Sequence, residues 1–330
     1  MSAEKVEMDT PKETTAPAKS GGIAGHFKKW WWAYLVVLVV IILVVVLPVV
    51  YVAYPKIAQK DINKSSLEVT SMVISQPTAD TFYLNQTQTI INHASYHPKL
   101  YAFEAAVSML GLTSTVAKVL VPTSHANNGA EVHIAQTVNI TDSTEFDLFA
   151  AYLLGTEEFP LNIYGKPHLK EGSMPKISVT YNKTVVMKGL NQLEGFEVTD
   201  FAILTTEQDG KNMNGTLLIP NPSVVTLHMG NVTLNLGVEG DALGYIYLED
   251  LVLAPGNNTV PMTATVNETS IIEMLSSNSS ALADGVVPFT ITGNSSVYDG
   301  VVLPYFTVAL QALNLTTSLN VTAALVEAGL

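Results

Sequence analysis

The strongest hydrophobic pattern in the chain is an unbroken apolar run near its beginning. Residues 30–54 carry no charge and consist mainly of Val, Leu and Ile. At a rise of about 1.5 Å per residue, a helix of this length crosses the roughly 30 Å hydrocarbon layer of a bilayer. Three Trp residues, 30–32, mark one margin and Tyr54 marks the other, as interfacial aromatic residues do. The run therefore predicts a transmembrane helix over residues 30–54, with the lipid bilayer as its partner.

A cleaved signal peptide is the alternative interpretation of this run. Signal peptides have apolar regions of about 7–15 residues and small residues before the cleavage site, whereas Tyr51 occupies that critical place here. A membrane anchor is therefore favoured. Residues 1–29 are polar and show no apolar periodicity, which predicts a disordered tail.

Beyond the span, the pattern changes to short runs of β-branched and aromatic residues bounded by Gly, Pro and Asn, which is typical of strands. Helical spacing occurs at 143–154 and at 269–275. The predicted strands of the distal region are 232–238, 246–253, 260–266, 286–292 and 301–310.

The sequence after the span also repeats itself. Residues 137–141 read Thr-Val-Asn-Ile-Thr, and 128 positions later residues 265–269 read Thr-Val-Asn-Glu-Thr. At the same spacing, Ile163 falls on Ile291, and at a spacing of 129 Val179 falls on Val308. These matches predict two tandem units, residues 60–195 and 196–330. The fold class is thus mainly β, with one N-terminal transmembrane helix followed by two β-sandwich units that each contain a short helix.

Asn-x-Ser/Thr sequons decide the predicted orientation. They occur 12 times, all after residue 54, against about four expected by chance. Because the glycosylating enzyme acts in the lumen, we expect a cytosolic N-terminus and a lumenal C-terminal region. Asn63 stands close to the span. The remaining N-glycosylation candidates are Asn85, Asn139, Asn182, Asn214, Asn231, Asn257, Asn267, Asn278, Asn294, Asn314 and Asn320.

Composition excludes several classes of function. The chain has no Cys, which excludes disulfides and thiolate sites, and its 16 basic residues are all Lys. A net charge of −13 argues against nucleic acid as a partner. No Lys follows Lys211. The favoured interpretation of the acids beyond it is a soluble acidic surface, and an acidic docking face or a cation site is the alternative. These acids are Glu239, Asp241, Glu249, Asp250, Glu268, Glu273, Asp284, Asp299 and Glu327.

Two turn motifs carry a family resemblance. Asn221-Pro222 followed by the Pro-Gly-Asn-Asn sequence at 255–258 resembles the type 2 late-embryogenesis-abundant (LEA-2) β-sandwich, which is immunoglobulin-like. In the first unit, Asn85-Gln86-Thr87 stands where the Asn-Pro pair is expected. The tail, span and tandem units together resemble fungal vacuolar membrane proteins linked to termination of autophagy. This resemblance implies the vacuolar membrane, with the plasma membrane or another secretory membrane as the alternative.

The sequence offers little that indicates catalysis. It contains no phosphate-binding Gly loop, nucleophile elbow or zinc-protease pattern. His93, His97, His125 and His133 could be imagined as a metal or pH-sensing cluster, but solvated loop histidines are the simpler interpretation. We therefore predict no catalytic, cofactor-binding or metal-binding residues. The expected function is non-enzymatic interaction with a lumenal protein; lipid binding is the alternative, and an unrecognised hydrolase is a third.

Overall fold

A computed structural model describes residues 23–94, 96–111, 114–276 and 285–328. The described residues fall into two units, divided between Tyr54 and Pro55. The part up to Tyr54 is helical, and the part from Pro55 onward contains all of the described strands.

Helical segments precede the first strand, lie between strands and follow the last strand. They are α1 (Ile23–Ile41), two π-helical turns (Ile42–Val46 and Val49–Ala53), α2 (Tyr54–Lys64), α3 (Ser143–Gly155), a short turn of helix (Asn191–Leu193), α4 (Glu268–Ser276), α5 (Pro304–Gln311) and α6 (Val321–Ala328).

The strands occupy most of the part from Pro55 onward. They are β1 (Ser66–Ser75), β2 (Thr81–Ile91), β3 (Lys99–Leu100), β4 (Phe103–Met109), β5 (Ala117–Val121), β6 (Ser124–His125), β7 (Glu131–Asn139), β8 (Glu158–Gly165), β9 (His168–Lys170), β10 (Ile177–Ser178), β11 (Tyr181–Lys188), β12 (Glu197–Gln208), β13 (Lys211–Asn221), β14 (Val225–Val238), β15 (Asp241–Leu253), β16 (Gly256–Val266), β17 (Val286–Tyr298), β18 (Val301–Val302) and β19 (Asn314–Asn320).

The apolar run forms a helix, although its Val and Ile residues are poor helix formers in water. Trp30–Lys64 is continuously helical, with a mean hydropathy of 3.5 in its most apolar window. A helix satisfies all of its backbone groups internally, which lipid demands. By length and composition this helix could cross a bilayer, and a signal sequence would have the same properties. α1 begins at Ile23, inside the predicted tail; residues 1–22 of that tail lie outside the described residues.

The predicted fold class, mainly β with sandwich-like sheets after one apolar helix, is confirmed. The strands fall into a first half, residues 60–195, and a second half, residues 196–328. In the first half, β2 pairs with β1 and β7 to form a three-stranded layer. β4 and β8 pair with each other and with the outer strands β5 and β11 to form a four-stranded layer. A small sheet of β10, β9, β3 and β6 accompanies them.

The second half repeats these five pairings with the corresponding strands. β13 pairs with β12 and β16, β14 pairs with β15 and β17, and β17 pairs with β19. α3 and α4 occupy corresponding places in the two halves: α3 lies between β7 and β8, and α4 lies between β16 and β17. The helices predicted at 143–154 and 269–275 are therefore confirmed.

The repetition extends to single side chains. The ladder of β1 with β2 is interrupted at Thr70, and the ladder of β12 with β13 is interrupted 129 residues later at Thr199. In each bulge the Thr hydroxyl donates to a backbone carbonyl of the neighbouring strand: Thr70 to Thr87 at 3.1 Å, and Thr199 to Thr216 at 3.2 Å. Such local agreement indicates that the two halves are structural repeats.

One seam differs between the halves. In the second half β15 pairs with β16, with Gly244 opposite Val266, and this joins the two layers at one side. In the described part of the first half, the corresponding strands β5 and β7 are not paired as a ladder, and one isolated bridge joins Ala117 to Ile140, the residue after β7. The Gln136 amide bonds the backbone N–H and carbonyl of Leu120 at 3.2 and 3.0 Å, acting as a substitute for a strand partner.

A parallel pair connects the two halves. Met72 to Ile74 of β1 align with Val225 to Leu227 of β14, and the later part of β14 pairs with β17. Residues from Pro55 onward consequently form one compact unit. The predicted boundary between 195 and 196 lies just before β12, and its status as a boundary between separate domains stays a prediction.

One strand prediction is wrong. Residues 301–310 contain only the short strand β18, followed by α5. Pro304 occupies the first turn of α5, where its missing N–H costs nothing. The buried residues Tyr305, Phe306, Ala309 and Leu310 follow helical spacing. The match of Val179 with Val308 fails for the same reason, since Val308 lies in this helix.

Acidic residues in the second half form hairpin turns. Asp209-Gly210, Glu239-Gly240 and Asp299-Gly300 all have positive φ at both positions and connect adjacent strands by two residues. Such turns match the right-handed twist of paired strands, and they favour Asp or Asn followed by Gly. Part of the acidic charge is thus explained by turn geometry.

Candidate functional site

The sequon asparagines share one structural property. Of the 12, Asn278 lies outside the described residues, and Asn294 is half-buried. The exposed ones are Asn63, Asn85, Asn139, Asn182, Asn214, Asn231, Asn257, Asn267, Asn314 and Asn320. Among the nine asparagines after residue 54 that do not belong to a sequon, Asn127 and Asn128 are exposed and the others are buried or half-buried. Exposure therefore follows the sequon rather than the residue type.

Several sequon asparagines also stabilise the local backbone through the side-chain oxygen. Asn267 Oδ1 accepts from Ser270 N at 3.3 Å, and Asn320 Oδ1 accepts from Ala323 N at 3.0 Å, at the beginnings of α4 and α6. A glycan is attached through Nδ2, so this capping leaves the attachment atom free. Asn294 differs because its Nδ2 donates to Asn235 Oδ1 at 2.8 Å.

The histidines do not converge. His93, His97, His125 and His133 are exposed. Within the described residues, the ring of His133 contacts Thr87 Oγ1 and the carboxylate of Glu131, at 3.0 and 3.5 Å. No group of three or more His, Asp or Glu residues in the described ranges is placed to hold a metal ion. Of the acids that follow Lys211, Asp284 lies outside the described residues. Most of those whose exposure is described are exposed, and Glu249 pairs with Lys211 at 3.3 Å.

The two turn motifs that resemble those of the LEA-2 family, at 221–222 and 255–258, meet at one corner of the second half. Asn221 is opposite Gly256 in the ladder of β13 with β16. Its buried amide donates to Val225 O and Leu253 O, and it accepts from Ser223 N at 3.0 Å. Asn258 bonds both backbone groups of Ala254. Both motifs therefore satisfy buried backbone groups at a corner, which is a structural role.

The first half has an equivalent of Asn221 that the sequence comparison misplaced. Asn92, 129 residues earlier, is buried and accepts from Ala94 N at 3.0 Å while donating to Ala126 O at 2.6 Å. Asn85, by contrast, is exposed in the middle of β2. The missing Pro after Asn92 hid this correspondence.

α2 is fastened to the first half through its side chains. Ala58 and Ile62 are buried. Gln59 exchanges two hydrogen bonds of 2.8 Å with the backbone of Thr180. The buried Lys183 ammonium donates to Ile62 O and Ser65 O, at the end where the helix dipole favours a cation. Burial lowers the pKa of Lys183.

A cavity of about 90 Å³ lies inside the first half. Its walls come from all three first-half sheets and from the end of α2, and they are mostly apolar. The uncharged polar side chains among them include Gln86, Gln88 and Tyr181. Burial raises the pKa of Tyr181 above its usual range. Two other cavities are smaller: one of about 30 Å³ inside the second half, and one of about 20 Å³ that is lined mainly by the second half and also by Leu154 and Leu193.

Sequence reasoning missed the two buried amides that line this cavity, Gln86 and Gln88. The available signal was the period of two along β2, where Leu84, Gln86, Gln88 and Ile90 fall on one face and all four are buried. Two polar residues in an otherwise apolar row are an exception worth explaining.

A wider cleft of about 330 Å³ opens at the junction of the two halves. It is lined by residues of the segment 191–196 and by the beginning of β19, including the sequon residue Asn314. Asn191, Gln192 and Leu193 all have positive φ, a conformation that non-Gly residues rarely adopt. Its lining is mainly polar and carries one charge, Glu194, so we regard it as a surface cleft rather than an enclosed site.

A sequence family matches the middle of the chain. Residues 114–236 match DUF3712, which is described as a protein of unknown function. The chain contains a DUF3712 domain. The matched segment begins just before β5 and ends within β14, so it crosses the junction between the two halves. No curated protein matches the chain.

Similarity to solved structures is weak. A structural-genomics target, SoR45, is 17% identical and covers 38% of this chain and 88% of its own, with a TM-score of 0.23. The periplasmic chaperone SfaE is 13% identical over 77% of this chain and 98% of its own, with a TM-score of 0.19. Red sea bream transglutaminase is 13% identical over 77% of this chain and 31% of its own, with a TM-score of 0.22. Scores this low carry no functional inference.

Proposed function

We propose that the protein is a membrane-anchored, lumenal glycoprotein that acts by interaction rather than catalysis. The observation that carries this proposal is the exposure of ten sequon asparagines, whereas most other asparagines of the same region are buried or half-buried. A glycan is large and hydrophilic, and it can be accommodated only at the surface. The resemblance noted above makes the vacuolar membrane the proposed location.

A purely structural explanation of the sequons exists, and it can be tested. Residues i and i+2 of a strand share a face, so an outward polar row could produce Asn-x-Thr without any glycan. The experiment is endoglycosidase digestion of the full chain expressed in a eukaryotic secretory pathway. We expect a large increase in gel mobility after digestion. Unchanged mobility would contradict both the glycans and the lumenal orientation.

Single substitutions sharpen this test. We expect Asn182→Gln to remove one glycan step on the gel, because Asn182 is exposed on β11. Asn294→Gln should leave the mobility unchanged, since Asn294 is half-buried and its Nδ2 is engaged with Asn235. Equal steps at both positions would show that exposure in the fold does not govern occupancy.

Lipid binding is the second candidate, and the cavity of the first half is the observation that favours it. Pockets for drug-sized ligands enclose about 300–1,000 Å³, however, and this cavity encloses about 90 Å³. A whole lipid therefore exceeds the available space. The filled interior of the second half likewise supports the interaction role.

A further inference from the structure

Two buried amides in the first half lack adequate partners. Gln86 and Gln88 are 7% and 3% exposed and line the cavity. Within the described residues, the only hydrogen bond of either side chain joins Gln86 Nε2 to Gln88 Oε1 at 3.4 Å, which is long. Each amide can donate two hydrogen bonds and accept two. Most of this hydrogen-bonding capacity therefore has no partner among the described residues, and both amides line the cavity.

The repeat shows that the fold does not require these amides. Gln86 and Gln88 are opposite Ile134 and Val132 in the ladder of β2 with β7. In the second half, Gly215 and Leu217 stand opposite Met262 and Val260 in the same way. Leu217 is completely buried. The position of Gln88 is thus filled by Leu in the other repeat, where the sandwich interior is nearly full.

The cavity itself defines the chemistry of a ligand. None of the described residues that line it is charged, so a charged ligand would be buried without a counter-ion. Its volume of about 90 Å³ exceeds the roughly 10–15 Å³ that a single water molecule requires, so it admits a small molecule. It is lined by residues of β5 and β7, including Val119 and Val132, at the seam that lacks continuous pairing. The second half closes this seam.

We propose that the first half binds a small uncharged molecule, or the end of a longer neutral chain, in this cavity. The ligand has an apolar body and one hydrogen-bonding head, such as a hydroxyl or an ester carbonyl, that pairs with Gln86 and Gln88. This site is additional to the interaction role proposed above and does not depend on glycosylation.

The test uses the full chain in nanodiscs, with 1-butanol as the probe and methyl NMR as the measurement. We expect saturable shifts at Ile90 and Ile134, which line the cavity, and no shift at Ile246 of the second half. Butyrate, which has the same length and a charge, should produce no saturable shift. Site-resolved signals separate cavity binding from partition into the disc.

Gln88→Leu is the matched variant, because it copies Leu217. We expect it to abolish the butanol shifts and to raise the unfolding midpoint by roughly 2–4 °C. The reason is that a buried amide with few hydrogen-bond partners is replaced by the Leu that the second half has at the same position. Leu217→Gln, the reverse change in the second half, should lower the midpoint. Gln86→Leu provides a second loss variant if Gln88→Leu does not fold.

Native mass spectrometry of the membrane-extracted chain distinguishes the sources of the ligand. A neutral-lipid adduct on the wild type that is absent from Gln88→Leu would assign the head to a lipid. Butanol shifts without an adduct would assign it to a free small molecule. The proposal is overturned if the wild type shows no saturable shift, if Gln88→Leu shifts equally, or if butyrate binds as well as butanol.

Discussion

Tyr305 links distant parts of the chain through a buried hydrogen bond. Its hydroxyl donates to Thr78 O at 3.0 Å across 227 residues, and its ring packs against Phe146 and Phe306 at centroid distances of 4.8 and 4.7 Å. Burial raises the pKa of the Tyr305 hydroxyl. A buried phenol that must remain protonated makes the fold sensitive to alkali.

We expect stability to fall as the pH rises above about 10, where tyrosine ionises in the unfolded chain but not in the folded one. The folded state then holds more protons, so the free energy of unfolding decreases with pH. Tyr305→Phe should cost about 1 kcal/mol at pH 7 through the lost hydrogen bond and should flatten the alkaline decrease. Chemical denaturation at pH 7 to 11 measures both effects. Tyr181→Phe gives a second comparison, since burial also raises the pKa of Tyr181.

At the scale of elements, α4 combines a cap and a sequon at one residue. Asn267 accepts from Ser270 N through Oδ1, while Thr269 completes the sequon without taking part in this cap. The two roles of Asn267 can therefore be separated by substitution.

We expect Asn267→Ala to remove one glycan and to cost about 1 kcal/mol of stability, the usual value of a helix cap. Thr269→Ala should remove the same glycan and leave the cap intact. Gel mobility reports the glycan, and thermal unfolding after deglycosylation reports the cap. Equal stabilities of the two variants would argue against capping by Asn267.

Closure of the second half depends on a glycine. A Cβ placed on Gly244 would lie 1.8 Å from Thr265 O, within the pairing of β15 with β16. Backbone cannot yield as a flexible side chain does, so this seam requires the absence of a side chain.

We therefore expect Gly244→Ala to destabilise the protein by about 3 kcal/mol through forced separation of the two strands. The matched control is Gly155→Ala at the end of α3, where a Cβ would meet nothing within 4 Å. Denaturant unfolding should show the control within about 1 kcal/mol of the wild type. Similar losses in both variants would mean that helix or chain effects, not the seam, set the cost.

On the scale of the whole molecule, the two repeats share one sheet. β14 pairs with β1 at its beginning and with β17 at its end, so it belongs to both halves. The buried core is correspondingly continuous and includes residues of both halves, such as Phe82, Leu154 and Leu227. Shared pairing of this kind favours cooperative unfolding.

We expect residues from Pro55 onward to unfold in one transition, with equal calorimetric and van't Hoff enthalpies. A fragment beginning at residue 196 should be markedly less stable, because Val225 to Leu227 would lose the pairing with β1. Differential scanning calorimetry after removal of glycans is the measurement. Two resolved transitions would contradict this expectation and would support the boundary at 195.

Local pattern alone determined much of this protein. The apolar helix, the strands around 232–266 and at 286–292, α3, α4 and the Asn221 turn follow from composition, periodicity and turn chemistry, which are properties of neighbouring residues. The repeat spacing predicted which of these elements correspond, and it held up to β8 and β17. Local reasoning failed at 301–310, where apolar residues after Pro304 suit a strand or a helix equally.

Only the tertiary structure decided how these elements combine. The pairing of β1 with β14, the seam that closes in one half and remains unpaired in the other, and the convergence of Gln86 and Gln88 on a cavity all depend on residues that are far apart in the chain. Strand register and layer packing determine such contacts, and a local sequence pattern does not encode them. Comparison of the two halves explains Gln88, because Leu217 occupies the same position in the half whose interior is filled.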